Sequence, residues 1–340
     1  MWYGTLLLLS FLLQSFNCDL KLGAFNIKTF GWKKYSDVQV RKTLLSIVSG
    51  YDLIVIQEIR DKSNTMIFQF LLDLREVSSP SWDLVVSPRL GRSSRYQEQY
   101  AVFYNRGKLE VQGQFVYSDS GGVYERPPLV AHFKVRREGA LVTEFTVIAL
   151  HAAPGSVVAE LEEVPGVYRE ARKRGYPSLA LLMGDLNADC TYLADKDRRD
   201  LGISQEKQEL ASSQEKDESG SSHEVTYTWL VNEDTAVSPQ RDCVYDRIIV
   251  CSQGPGPPEM TGHVHKFDTD MEYDFAKGVS DHYPVYTILP TGFEEDFKPG
   301  LCVTGGFICC LSEGVTYVVQ NIAAKISHYL EVTVKTKSEL

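Results

Sequence analysis

Two packed β-sheets flanked by helices, an α/β architecture, are what the order of elements in this chain predicts. Strand-length apolar runs recur along most of the 340 residues, while helical periodicity appears in only a few stretches between them. Many strands with few intervening helices do not fit a singly alternating parallel barrel. Several of the apolar runs also end in acidic or histidine motifs, where a buried strand would reach a sheet edge.

Leu20–Ile27 reads as the first strand. Val40–Val48 is helical by its apolar spacing, and Asp52–Gln57 contains Leu53-Ile54-Val55-Ile56, a fully buried strand. Thr65–Leu74 sets Met66, Phe70 and Leu74 at fourfold spacing with Ile67 and Leu71 beside them, which is one apolar helix face. Strands are expected over Trp82–Ser87, Tyr100–Tyr104, Val111–Tyr117, Leu129–Val135 and Glu144–His151. Val157–Arg174 is helical and breaks or kinks at Pro165, which has no amide hydrogen to donate. Ser178–Met183 is another buried strand, and Thr226–Leu230, Arg247–Val250 and Tyr283–Ile288 complete the set.

Three segments fall outside this pattern. Residues 1–18 read as a secretory signal, because Leu6–Leu9 and Phe11–Leu13 form an apolar run too short to span a bilayer and a strand follows at once. Residues 203–224 are a polar insert in which Ser-Gln-Glu-Lys occurs at both 204–207 and 213–216; it lacks the apolar residues needed to join a core. Residues 291–340 are a tail of unknown role. Its stretch from Pro299 to Ala324 carries a single charge, Glu313, but charged residues follow, whereas a lipid-anchor signal ends in its apolar run. Membrane anchoring and ER retention, the latter from a final Lys337-Ser338-Glu339-Leu340, are therefore secondary alternatives to secretion. Residues 19–290 remain as one domain.

A net charge of −10 argues against a generally basic nucleic-acid coat but leaves room for a local cationic cleft. Secretion permits disulfides. None of Cys18, Cys190, Cys243, Cys251, Cys302, Cys309 and Cys310 has zinc-ligand spacing with nearby histidines.

The polar motifs define the chemistry. In order they are Ala24-Phe25-Asn26-Ile27, Gln57-Glu58-Ile59-Arg60-Asp61, Leu150-His151-Ala152-Ala153-Pro154, Gly184-Asp185-Leu186-Asn187, Tyr245-Asp246-Arg247 and Ser280-Asp281-His282-Tyr283. Hydrolysis of a phosphodiester needs an activated water, neutralised phosphoryl charge and a protonated leaving oxygen. Histidines paired with carboxylates suit the proton transfers, and carboxylate and amide oxygens suit Mg²⁺ or Mn²⁺. Glu58, at the end of a buried run, is the best single metal ligand. Asp185 and Asn187, two apart on an extended segment, are expected on one face, where they can hold metal, phosphate or the attacking water.

These motifs, with Tyr96-Gln97-Glu98-Gln99-Tyr100 and Leu22 to Gly31, resemble the secreted deoxyribonuclease I family over about residues 19–290. The wider endonuclease/exonuclease/phosphatase superfamily shares only Asn, Glu, Asp-X-Asn and Asp-His of this set. The resemblance implies a four-layer α/β sandwich with its active site at one sheet edge, and metal-stimulated endonucleolytic cleavage of DNA. It implies His151 and His282 as the acid/base pair, with Glu98 orienting His151 and Asp281 orienting His282. Asn26, Glu58, Asp185, Asn187 and Asp281 would surround metal and scissile phosphate. Tyr96, Arg60, Arg126 and Tyr245 would contact phosphate or bases, Asp246 would support the site, and Cys190 and Cys243 would form a disulfide. Arg60, Arg92, Arg95 and Arg126 are expected to converge on one cationic strip.

The departures are also specific. Tyr117 to Val123 is shorter than the pancreatic-type calcium loop and has no cysteine, so Ca²⁺ is expected only with its structural site altered; Asp234-Thr235 matches a second calcium region in part. Leu84-Val85-Val86-Ser87-Pro88 lacks the aromatic and acidic residues of the pancreatic enzyme's actin-binding edge, so actin is not an expected partner. These departures resemble the deoxyribonuclease-I-like paralogues more than the pancreatic enzyme. A monomer acting on DNA is the expectation. The competing readings are a phospholipid or inositol-phosphate phosphodiesterase, which the arginines and Tyr96 disfavour, and an inactive binding protein, which would need a missing catalytic residue.

Overall fold

The computed structural model describes residues 19–137, 140–204, 225–238, 242–254 and 258–291, with the backbone of 302–304 and 307–309. The signal expected at 1–18, the expected insert from residue 205 and nearly all of the tail lie outside the described residues. The chain divides into two compact units, Met1–Gly292 and Phe293–Leu340. In the second, Cys302–Thr304 pairs antiparallel with Phe307–Cys309.

The first unit holds two six-stranded sheets. One runs β11 (Gly262–Val264), β12 (Val285–Leu289), β1 (Leu20–Phe30), β2 (Leu53–Ile59), β4 (Gln99–Asn105), β3 (Trp82–Val86). The other runs β5 (Leu109–Val116), β6 (Leu129–Val135), β7 (Glu144–Ala149), β8 (Ala180–Asp185), β10 (Asp246–Gln253), β9 (Val225–Trp229). Among the described residues only β1–β2 and β7–β8 are parallel pairs. The carboxyl ends of these four strands carry Asn26, Glu58, His151 and Asp185.

Three apolar clusters make the layers. Leu22, Ala24, Val55 and Val102 of the first sheet pack on Phe133, Val147, Met183 and Ile248 of the second. Outside the first sheet lie α2 (Val38–Ser49) and α3 (Met66–Val77), whose Leu44, Val48, Phe70 and Leu74 meet Phe25, Ile54 and Phe103. Outside the second lie α4 (Val157–Glu162) and α5 (Val164–Lys173), with Leu161, Val167 and Tyr168 on Ile148, Leu182 and Ile249. The result is the expected four-layer sandwich. The expected break near Pro165 is the boundary between α4 and α5, where a proline at the first turn loses no intrahelical bond.

Local chemistry fixes the helix starts. Asp37 caps α2 by accepting from the Gln39 and Val40 amides. Asp61 performs the same service for α3, accepting from the Thr65 and Met66 amides as well as from Ser63. The short elements α1 (Trp32–Tyr35), α6 (Asp195–Asp200), α7 (Tyr273–Val279) and β11 have no sequence signal, being too short for a period to repeat. The insert begins later than the composition suggests. Ile203 and Ser204 are buried, and the Ile203 carbonyl accepts from the Trp229 indole.

Gln57 joins the sheets at the functional edge. It is fully buried on β2; its Nε2 donates to the Leu150 carbonyl at 2.6 Å and its Oε1 accepts from the Asp185 amide at 2.9 Å. Gly184 makes room for it. A Cβ there would sit 2.1 Å from Gln57 Nε2 and 2.2 Å from the Leu150 oxygen, and the backbone has φ +145°. Gly184→Ala should therefore destabilise the fold by on the order of 4 kcal/mol, combining overpacking with backbone strain. Urea denaturation of the variant against the parent measures it.

Candidate active site

The β1–β2 ladder shifts register between Asn26 and Phe30, and the β2–β4 ladder between Ile56 and Ile59. Glu58 sits in the second irregularity with φ 57°, and Thr29 in the first with φ 54°. Both lie in the left-handed region, where non-glycine residues are strained. The irregularity turns the Glu58 side chain out of the sheet. Its Oε2 accepts from the Thr29 amide at 2.8 Å, and its Oε1 lies 3.3 Å from Asn26 Nδ2.

Asp185 Oδ2 is the meeting point. It accepts from Asn26 Nδ2 at 2.9 Å and faces His151 Nε2 at 3.5 Å and His282 Nε2 at 3.7 Å. Each imidazole is held from behind by a buried carboxylate. His151 Nδ1 is 2.5 Å from Glu98 Oε1, and His282 Nδ1 is 2.7 Å from Asp246 Oδ2. Burial alone would raise the Glu98 pKa, but His151, Arg126 and Arg60 outweigh it and hold it at about 2. Burial would lower that of His282, but Asp246, Asp185 and Asp281 raise it to about 10.

The partner of His282 is a correction to the sequence expectation. Asp246 holds it, while Asp281 reaches no nearer than 4.0 Å to Nε2 and ion-pairs with Lys28 instead. Asn187 is a second correction. With φ 48° it turns rather than continuing an extended strand, so it does not share a face with Asp185. Its amide nitrogen donates to Asp185 Oδ1 and its side chain to the Ala152 carbonyl, bracing the site. Arg126 and Arg92 do not extend freely into a cationic strip. Arg126 is buried, donating to the His151 carbonyl and pairing with Glu98 at 3.0 Å, and Arg92 is turned onto the Val123 and Tyr124 carbonyls. Arg60, between Glu58 and Glu98 at 3.6 and 3.4 Å, stays one-third exposed. Tyr96 is 60% exposed. Tyr245 contacts the His282 ring and lines a cleft of about 390 Å³ with Lys28, Asn187, Tyr192, Lys277 and Asp281.

Several supporting residues carry no role in the sequence reading. Ser280 Oγ donates to the Asn26 carbonyl and accepts from the His282 amide. Tyr100 accepts from the His151 amide. Glu160, fully buried on α4, accepts from the Glu125 and Ala153 amides and so fixes the loops before Arg126 and after His151. Thr235 accepts from the Tyr245 and Asp246 amides. An isolated acid or hydroxyl in a polar loop has no pattern to single it out. The Cys190–Cys243 disulfide ties the loop after β8 to the segment before β10. For a loop of 53 residues the chain-entropy model gives it about 4 kcal/mol.

Residues 16–282 match the Endonuclease/Exonuclease/phosphatase family. The chain belongs to this family. Within it the chain stands with the deoxyribonuclease I relatives. It is 31% identical to deoxyribonuclease-1 of Bos taurus over 297 residues, 84% of this chain and 97% of that one. It is 30% identical to deoxyribonuclease-1-like 2 of Mus musculus over 278 residues, 80% of this chain and 92% of that one. An endonuclease/exonuclease/phosphatase family protein from Bacteroides thetaiotaomicron shares the fold with a TM-score of 0.52 at 18% identity, covering 82% of this chain and 96% of its own.

The donor set fits a hard divalent cation. Carboxylates outnumber fixed cations here: Glu58, Glu98, Asp185, Asp246 and Asp281 stand against Arg60, Arg126 and Lys28. Glu58 and Asp185 oxygens converge on one point, marked by Asn26 Nδ2, and the buried Asn26 Oδ1 has no hydrogen-bond partner. Among the described residues Asp185, Asp246 and His282 also bring ligand atoms within 4.8 Å of one another. In that group Asp246 and His282 already bond each other, so the oxygen side of Asp185 toward Glu58 is the better place for a hard ion. The calcium-loop candidates each accept backbone amides. Asp119 accepts from the Val123 and Tyr124 amides, and Asp234 from those of Ala236 and Cys243.

The low Glu98 pKa predicts an acid sensitivity. Its folded value, about 2, lies below the ordinary 4.5, so its contribution is present above about pH 4.5 and is lost as pH falls toward 2. Between pH 5 and pH 3 the parent should lose about 2 kcal/mol more unfolding free energy than Glu98→Gln. Urea titrations of both proteins at the two pH values check it.

Proposed function

We propose that this chain is a divalent-metal-dependent endonuclease that hydrolyses phosphodiester bonds of DNA by a two-histidine mechanism. The observation that carries the reading is the pair of imidazoles whose Nε2 atoms face one Asp185 oxygen, each held at Nδ1 by a buried carboxylate. Glu98 holds the Nδ1 proton of His151 and leaves Nε2 with a lone pair, the form that takes a proton from water. His282, ringed by Asp246, Asp185 and Asp281, keeps its Nε2 proton and is the donor to the leaving oxygen. Glu58 and Asp185, with Asn26 beside them, would hold a Mg²⁺ or Mn²⁺ ion, which would supply charge neutralisation on the phosphoryl group. Arg126 positions His151 from behind, and Asn187 braces Asp185 at the cleft wall. Arg60, Tyr96 and Tyr245 offer a cation and two aromatic rings to phosphate and bases.

Support for DNA as the substrate comes from relatives named deoxyribonuclease that are matched over nearly their whole length. The apolar start at residues 1–18 and the Cys190–Cys243 disulfide support a secreted protein. No helix among the described residues is long and apolar enough to cross a membrane. Action without actin fits the altered Leu84–Pro88 edge; the chain would act as a monomer, with any Ca²⁺ held at an altered structural site.

His151→Ala and His282→Ala should each lower plasmid nicking on the order of 10²–10⁴-fold while leaving the thermal transition in place. Turnover near that of the parent in either variant would remove it from the mechanism. Glu58→Gln should shift the Mg²⁺ dependence of nicking to higher concentration. An unchanged curve would move the ion elsewhere.

A further inference from the structure

We propose that Trp32 is a stacking platform for an unpaired base, giving this nuclease a dedicated contact with single-stranded DNA. The inference rests on the deoxyribonuclease reading and adds a substrate form to it. Trp32 is 44% exposed, although a tryptophan has more to gain from burial than most side chains. It is also held still. The indole Nε1 lies 3.2 Å from both Ser63 Oγ and Thr65 Oγ1, and the ring meets Tyr35 edge-on with centroids 5.8 Å apart. Both anchors are themselves fixed. Asp61 binds Ser63 and the Thr65 amide, and Tyr35 is buried with its hydroxyl on Asp73. An exposed aromatic ring with little freedom left to lose is preorganised for a flat partner.

Its position ties it to the catalytic centre. Trp32 opens α1 directly after β1, the strand that carries Asn26 and Lys28. Two residues on, Lys34 donates to the carbonyl of Val279, two residues before Asp281. The Asp61–Thr65 loop that pins the indole continues from Glu58 and Arg60, and the Arg60 amide donates to the Phe30 carbonyl. The surroundings suit a polyanion, since Lys33 and Lys62 are exposed on the same two segments and Arg60 is part-exposed. A fixed aromatic ring bordered by cations is the arrangement that binds single-stranded nucleic acid, where a free base offers its face. In a duplex that face is covered by neighbouring bases, so the ring has much less to gain there.

The test uses the full chain carrying His151→Ala, in EDTA, with a labelled oligothymidylate and a duplex of equal length. Anisotropy should show Trp32→Ala weakening single-strand binding roughly tenfold, with duplex affinity within twofold, and Trp32→Phe retaining most of the single-strand affinity. Oligothymidylate should also quench indole fluorescence more in the parent than in Trp32→Phe; of the other tryptophans among the described residues, Trp82 is buried and the Trp229 indole is engaged with Ile203. Equal single-strand affinity for parent and Trp32→Ala, or an equal loss on both substrates, overturns the platform and leaves the nuclease reading standing. A parent that binds neither DNA overturns the substrate reading and the platform with it.

Discussion

The active site depends first on one buried amide. Gln57 lies on the central strand of one sheet and satisfies a carbonyl and an amide on the other, at Leu150 and Asp185. Those two residues flank the catalytic groups directly: Leu150 precedes His151, and the Asp185 amide belongs to the residue on which both imidazoles converge. Two apolar sheet faces can slide past each other at little cost, because dispersion and burial are non-directional. A buried hydrogen-bonding side chain cannot, because each lost partner leaves an unsatisfied polar group costing about 1–3 kcal/mol. Gln57 therefore converts an apolar interface into a fixed register, and Gly184 is the backbone opening that lets it.

Above that anchor the site is organised by excess negative charge. Glu98 and Asp246 each hold an imidazole, and Arg126 and Lys28 take up Glu98 and Asp281. Glu58 and Asp185 face a common point. The strained backbone at Glu58 and Thr29 is the local cost of turning a carboxylate out of a sheet, and it falls where the chemistry requires it.

Much of this was legible in the sequence because catalytic groups ended apolar runs. His151, Asp185, Glu58 and Asn26 all stand where a buried strand runs out, and the structure brings them together. One wrong inference came with the family resemblance, which set Asp281 behind His282. Asp281 and His282 are neighbours in the chain and line one cleft, but Asp281 ion-pairs with Lys28 and the acid that holds His282 arrives from β10. Asn187 misled for a different reason, since a spacing of two implies a shared face only while the backbone stays extended. Gln57, Glu160 and Ser280 act through backbone amides and carbonyls of distant loops, and no local pattern of residue types encodes such long-range partners.

One topological fact bears on how the protein is made. β1 lies between β2 and β12, with Leu20 paired to Leu289 and Ala24 to Val285. Asn26 and His282 therefore meet only after nearly the whole domain has been synthesised and its last strand has docked beside its first. Contacts of such long sequence separation form late and slowly. A nascent chain thus carries the earlier residues of the proposed site apart from the later ones until β12 closes the sheet.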